Sequence, residues 1–189
     1  MNADGLGERI PAASMSPRAR LTGTVYLIYF LTAILAQILV SRKLVMAGDA
    51  VNLIAYAFYV ALTLLLYFLF KPVNRSVSLV AAVFSLVGCG IGVLDVFHRA
   101  HAHVSALWFF GPYCLLLGYL ILRSTFLPRL IGVLMALAGL GWLAYLSPPV
   151  QQHLGLVIDG LGVLAEASLM LWLLVVGVDK EKWVERKRR

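Results

Sequence analysis

The feature that most constrains this chain is a series of six long apolar blocks, at 21–40, 50–70, 77–97, 104–122, 128–147 and 155–178, separated by short polar breaks. Each is near the roughly 20 residues that a helix needs to cross about 30 Å of hydrocarbon. The first, second and fourth contain no charged residue. The chain is 61% hydrophobic and 13% charged, whereas soluble domains run to about a quarter charged. A water-soluble globule could not bury so much apolar surface, so lipid is the expected solvent. Backbone N–H and C=O groups in hydrocarbon must be paired within the segment or in a closed barrel, and ten-residue alternating strands are not present. The expected fold is therefore an all-α integral membrane protein, a compact antiparallel bundle of six transmembrane helices joined by short loops. The expected organisation is a flexible cytoplasmic lead-in at 1–16, a six-span membrane domain at 17–178 and a basic cytoplasmic tail at 179–189.

The net charge of +7 reads as a topology signal rather than a nucleic-acid surface. With the N-terminus inside, Arg9, Arg18, Arg20, Lys71, Arg75, Arg123, Arg129 and the tail cations Lys180, Lys182, Arg186, Lys187, Arg188 and Arg189 fall in the cytoplasm. Arg42, Lys43 and Arg99 are left outside. Thirteen against three, in loops this short, places both termini in the cytoplasm by the positive-inside rule. The expected location is the bacterial plasma membrane, with the first block retained as a signal anchor. The expected partners are the bilayer and the anionic headgroups near the tail, where each cation is worth about 1 kcal/mol. A second copy of the chain or another membrane subunit is left open as partner, and no cofactor is implied.

Small residues mark helix packing. Gly88 and Gly92 form a GxxxG, and Gly132 with Ala136 repeats the small-xxx-small spacing, both suited to close helix approach. Tyr26, Tyr67, Trp108, Trp142, Tyr145, Trp172 and Trp183 lie toward block ends, where aromatic rings anchor at headgroup level. Cys89 and Cys114 lie near block centres and are expected as small apolar packing rather than a disulfide. Pro112 sits inside the fourth block, where it removes one backbone hydrogen bond.

The acids within blocks are the residues with chemistry to explain, because a charge in a span costs about 2.5–3.5 kcal/mol. Gly155, Asp159, Gly162 and Glu166 recur at helical spacing, so Asp159 and Glu166 form a polar stripe on one face, directed into the bundle. Glu166 is expected near the midplane with polar partners on the third or fifth helix. An acid there is cheaper as a neutral hydrogen-bonding carboxyl than as a bare carboxylate. Two readings are open: a protonatable site for proton or cation handling, or a packing acid without transport. A second group on the outer side comprises Asp95, His98, Arg99, His101 and His103. His98, His101 and His103 are metal-ligand candidates, since neutral imidazole suits zinc or copper. The same residues equally fit solvated histidines, a pH-responsive cluster or an Asp95–Arg99 ion pair at i,i+4. No nucleotide-binding loop, nucleophile elbow or zinc-protease motif is present.

The segment Gly118-Tyr119-Leu120-Ile121-Leu122-Arg123-Ser124, with Phe126-Leu127-Pro128-Arg129, Gly132-Val133 and Ala138-Gly139-Leu140-Gly141, resembles the bacterial multi-pass membrane family catalogued as domain of unknown function 4386. Ser16-Pro17-Arg18, Gly23, Tyr26, Lys71-Pro72-Val73-Asn74-Arg75, Ala165-Glu166, Leu171-Trp172-Leu173-Leu174 and Gly177 extend the resemblance over most of 16–178. It implies a six-span plasma-membrane protein without an assigned activity. Ser85 stands where that family usually has Arg, and Tyr113 where it usually has His. The expected function is thus non-enzymatic: a small carrier of protons, cations or small molecules, or a membrane partner subunit. The alternative is a membrane-embedded metal-dependent hydrolase using the outer His/Asp cluster.

Overall fold

The computed structural model describes residues 17–98 and 105–188, and these are all-helical. The elements are α1 (Pro17–Ser41), α2 (Val45–Phe70), α3 (Arg75–His98), α4 (Leu107–Arg123), α5 (Arg129–Ala144), α6 (Pro148–Leu171), a π-helical segment (Trp172–Val176) that continues α6, and α7 (Lys180–Arg188). Four rods are long and apolar enough to cross a membrane: α1, α2, α3 and the 29-residue rod Pro148–Val176. α4 and α5 are apolar but shorter, at 17 and 16 residues, or about 26 and 24 Å at 1.5 Å per residue.

The chain breaks differ from the apolar blocks at α5 and α6. Helix α5 stops at Ala144, not 147, and α6 starts at Pro148, seven residues before the expected 155. Pro148 and Pro149 occupy the first turn of α6, where proline's preset φ favours the helix and its missing N–H costs nothing. Hydropathy alone misses this start because the first two turns of α6 are polar at Gln151, Gln152 and His153.

Each rod packs on the next, and α1 closes the ring against the π-helical segment. Two seams depend on missing side chains. Between α4 and α5, a Cβ on Gly118 would lie 2.8 Å from both the Ala136 N and the Gly132 O, and one on Gly139 would lie 2.8 Å from the Gly111 O. The pair Gly132 and Ala136 therefore sits in a backbone-to-backbone contact. Between α1 and the π-helical segment, a Cβ on Gly23 would meet the Leu174 N at 2.6 Å.

At the end where α2 and α4 finish, called here the tail end, α7 folds back beneath the bundle. Gly177 makes the reversal, with φ 75° and ψ −147°, a conformation that L side chains avoid. Asp179 caps the new helix, its Oδ1 accepting from the backbone N–H of Glu181 at 3.0 Å and of Lys182 at 3.3 Å, the usual role of an N-cap acid. Trp183 Nε1 then donates to the Leu69 carbonyl at 3.0 Å, and Arg186 donates to the Arg123 carbonyl at 2.9 Å. Both acceptors lie in last turns, where carbonyls have no intrahelical partner. The tail thus serves as a shared C-terminal cap for two helices, a role that its basic composition did not suggest.

Candidate functional site

The ring of rods encloses a cavity of about 900 Å³ that opens away from the tail end. Ser41, Asn52 and Ala106 mark its outer part, and Glu166 lies at its inner limit. On the tail side of Glu166 the core is shut: Leu66, Leu117, Leu169 and Leu173 are each no more than 3% exposed. The rod carrying Glu166 runs from Pro148 to Val176. At 1.5 Å per residue, Glu166 sits about 6 Å to the tail side of that rod's midpoint. This is deeper than an α6 starting at 155 would place it.

Glu166 is buried, at 8% exposed. The polar group set against its carboxyl is the Tyr26 hydroxyl of α1. Tyr29 of α1 and Tyr59 of α2 line the same cavity, and Tyr113 and Cys114 of α4 are buried within electrostatic range of the carboxyl. The expectation that the third or fifth helix would supply these partners is therefore corrected. Helix α5 does pack directly on α6, with Trp142 against Gly162, but it is α1, brought in by the contact of Gly23 with Leu174, that sets Tyr26 against Glu166. Tyr26 and Trp142 are likewise not headgroup anchors. Tyr26 is 3% exposed, and Trp142 lines the cavity with its indole laid on Gly162.

The rings form a connected set. Tyr29 and Tyr59 have centroids 4.6 Å apart. Tyr59 approaches Phe110 at 6.1 Å and Tyr113 at 6.2 Å, and Phe110 reaches Trp142 at 5.9 Å. A sequence signal for it exists, in three aromatic pairs at i,i+3: Tyr26 and Tyr29, Tyr56 and Tyr59, Phe110 and Tyr113. That spacing puts each pair on one helical face. Across from the rings, Ser85 and Thr63 join α3 to α2 at 2.6 Å. Because Thr63 donates to the Tyr59 carbonyl at 2.9 Å, Ser85 supplies the proton of the interhelical bond. Of the two departures from that family's pattern, Ser85 stands on the cavity wall and Tyr113 packs behind it against Tyr59.

The other sequence candidates lie elsewhere. Asp159 is half-buried two turns from Glu166 and does not line the cavity. Gly88 is on the cavity wall, facing Phe109 of α4, while Gly92 receives the Tyr56 hydroxyl. Asp95 is exposed on α3. The side chain of His98 and all of Arg99, His101 and His103 lie outside the described residues. Among the described residues, no group of three His, Cys, Asp or Glu is placed to hold a metal. Cys89 and Cys114 are free and buried.

Fold and cavity together define a class: an all-helical protein with helices that can cross a membrane, wrapped round an aromatic pocket that ends on a carboxyl. Within that class, the family model described as "Domain of unknown function (DUF4386)" matches residues 93–177, and the resemblance read from the sequence holds over that stretch. The match takes in the α4–α5 seam, α6 and the π-helical segment. A protein of Archaeoglobus fulgidus, described as uncharacterised, is 28% identical over 127 residues, covering 62% of this chain and 76% of the relative. No solved structure matches the chain.

Proposed function

We propose that this protein is a six-span carrier of the bacterial plasma membrane, with both termini cytoplasmic, that admits a small molecule to the cavity and uses Glu166 as its proton-exchanging group. The observation that carries this reading is the cavity itself, about 900 Å³ in volume and ending at Glu166, with no other acidic or basic side chain among the described residues of its wall. Ligand sites are typically apolar concavities of about 300–1,000 Å³ with a few convergent polar groups. An ionisable residue inside a span marks a pathway more often than it marks packing. The cationic ends of α2, α4 and α7 favour the cytoplasmic assignment of the tail end, and the α4–α5 seam lets two shorter helices share one crossing depth.

Cys89 provides the test, since it lines the cavity. In a Cys114→Ala background, a membrane-impermeant methanethiosulfonate should modify Cys89 from both sides of oriented vesicles, faster from the side opposite the tail. Modification from that side alone would leave a binding pocket but no carrier. No modification from either side would remove the cavity as a functional site.

A further inference from the structure

We propose that the cavity binds a lipophilic organic cation, with an ammonium-type head between Glu166 and the tyrosine rings and an apolar body extending toward a mouth between α1 and α6. This rests on the cavity reading above and adds the ligand class to it.

Charge comes first. Among the described residues, Glu166 is the one acid on the wall, and no Lys, Arg or His lines it. An anion entering there would meet a carboxyl and electron-rich ring faces with no counter-charge. Aromatic rings attract cations through their quadrupoles, and most strongly where water is excluded. Tyr29, Tyr59, Phe110 and Trp142 come from four different helices, so they surround the space rather than stack along one side of it.

An inorganic cation fits poorly, because hard metal ions take about six oxygen ligands at close range. Among the described residues, no cluster of acids, histidines and cysteines offers even three. A sugar-like polyol would require dense hydrogen bonding, whereas most of the wall is apolar or aromatic and Gln37, Ser41, Asn52 and Ser85 are scattered along it. The volume, near the upper end of the usual range for ligand pockets, exceeds what a bare ammonium head fills.

The mouth supplies the last point. α1 meets the sixth rod mainly at the π-helical segment, so toward the other end the two rods part. Ile34 and Ile38 of α1 and Val163 of α6 edge the opening, and each is about half exposed. A ligand entering between them passes apolar side chains and reaches the carboxyl last. That order suits an amphiphile whose body is soluble in lipid.

The test uses two ions of nearly the same shape and opposite charge, tetraphenylphosphonium and tetraphenylborate, titrated calorimetrically into the purified full chain in non-ionic detergent. The phosphonium should bind at one per chain and the borate should not. Glu166→Gln, checked for monodispersity and melting temperature, should weaken the phosphonium at least about tenfold. Tyr59→Leu, which leaves the charge in place, should weaken it roughly three- to tenfold. Equal binding of both ions, or unchanged affinity in both variants, overturns the cation assignment. If neither ion binds while Cys89 is still modified, the ligand class is wrong and the cavity reading stands. If Cys89 is also unreactive, both fail.

Discussion

Adding a single methyl group at Gly118 tests whether the α4–α5 seam limits the stability of this bundle. The new Cβ would stand 2.8 Å from the Ala136 N, 2.8 Å from the Gly132 O and 3.1 Å from the Ala136 Cβ. Ordinary contacts are about 3.5–4.0 Å, so the helices must separate by roughly 0.7 Å. Overpacking costs about 1–3 kcal/mol, and the upper end applies because the obstructing atoms are mainly backbone and cannot rotate away. Alanine returns about 1 kcal/mol of helix propensity. The net loss is about 2 kcal/mol, or a fall in melting temperature of roughly 4–8 °C for a chain of this size. Gly160→Ala is the control: nothing lies within 4 Å of its Cβ, so the same propensity gain should raise the melting temperature by roughly 2–4 °C. Cys114 is buried, free and absent from the cavity wall, so in a Cys89→Ala background a fluorogenic maleimide reports unfolding in detergent directly. If Gly118→Ala proves as harmless as Gly160→Ala, the backbone contact does not hold these helices at their spacing.

Other outcomes follow from contacts already described. Trp183→Phe keeps the ring and removes the N–H bonded to the Leu69 carbonyl; it should cost about 1 kcal/mol and speed tryptic cleavage of the basic tail, whereas unchanged cleavage would mean that α7 is not held there. Thr63→Val leaves the buried Ser85 hydroxyl without its acceptor and should cost about 1–3 kcal/mol. Thr63→Val combined with Ser85→Ala should cost less than the sum of the single changes, as a double-mutant cycle in thermal unfolding would measure. Reporter fusions at the C-terminus and at His101 should report opposite compartments, and equal signals from both would overturn the six-span topology.

Much of the helical layout was legible because long apolar runs can do little else in lipid. Glu166 was legible for the same reason, since an acid amid Leu, Val and Ala must face inward and find a partner. Its actual partners were harder to see. Tyr26 lies near the end of its block, and distance along one helix does not reveal that α1 tucks inward against the π-helical segment at Gly23. The start of α6 was hidden by polar opening turns that begin on two prolines, and α7 by a cationic composition that reads equally well as an unfolded tail. Its fold depends on the Asp179 cap and on two carbonyls offered by distant helices, information that no local window of sequence contains.

The contact between Gly23 and Leu174 also sets a timetable. Of the helices described, α1 is synthesised first and the π-helical segment near the end, yet each completes the other's packing. At about 5–20 residues per second, α1 waits on the order of ten seconds before its counterpart exists. During that interval Tyr26 has no Glu166 to face, and the face of α1 that later lines the cavity is uncovered. Assembly of this protein therefore ends with ring closure from the C-terminal side, and a chain truncated before Trp172 would leave α1 without its final neighbour.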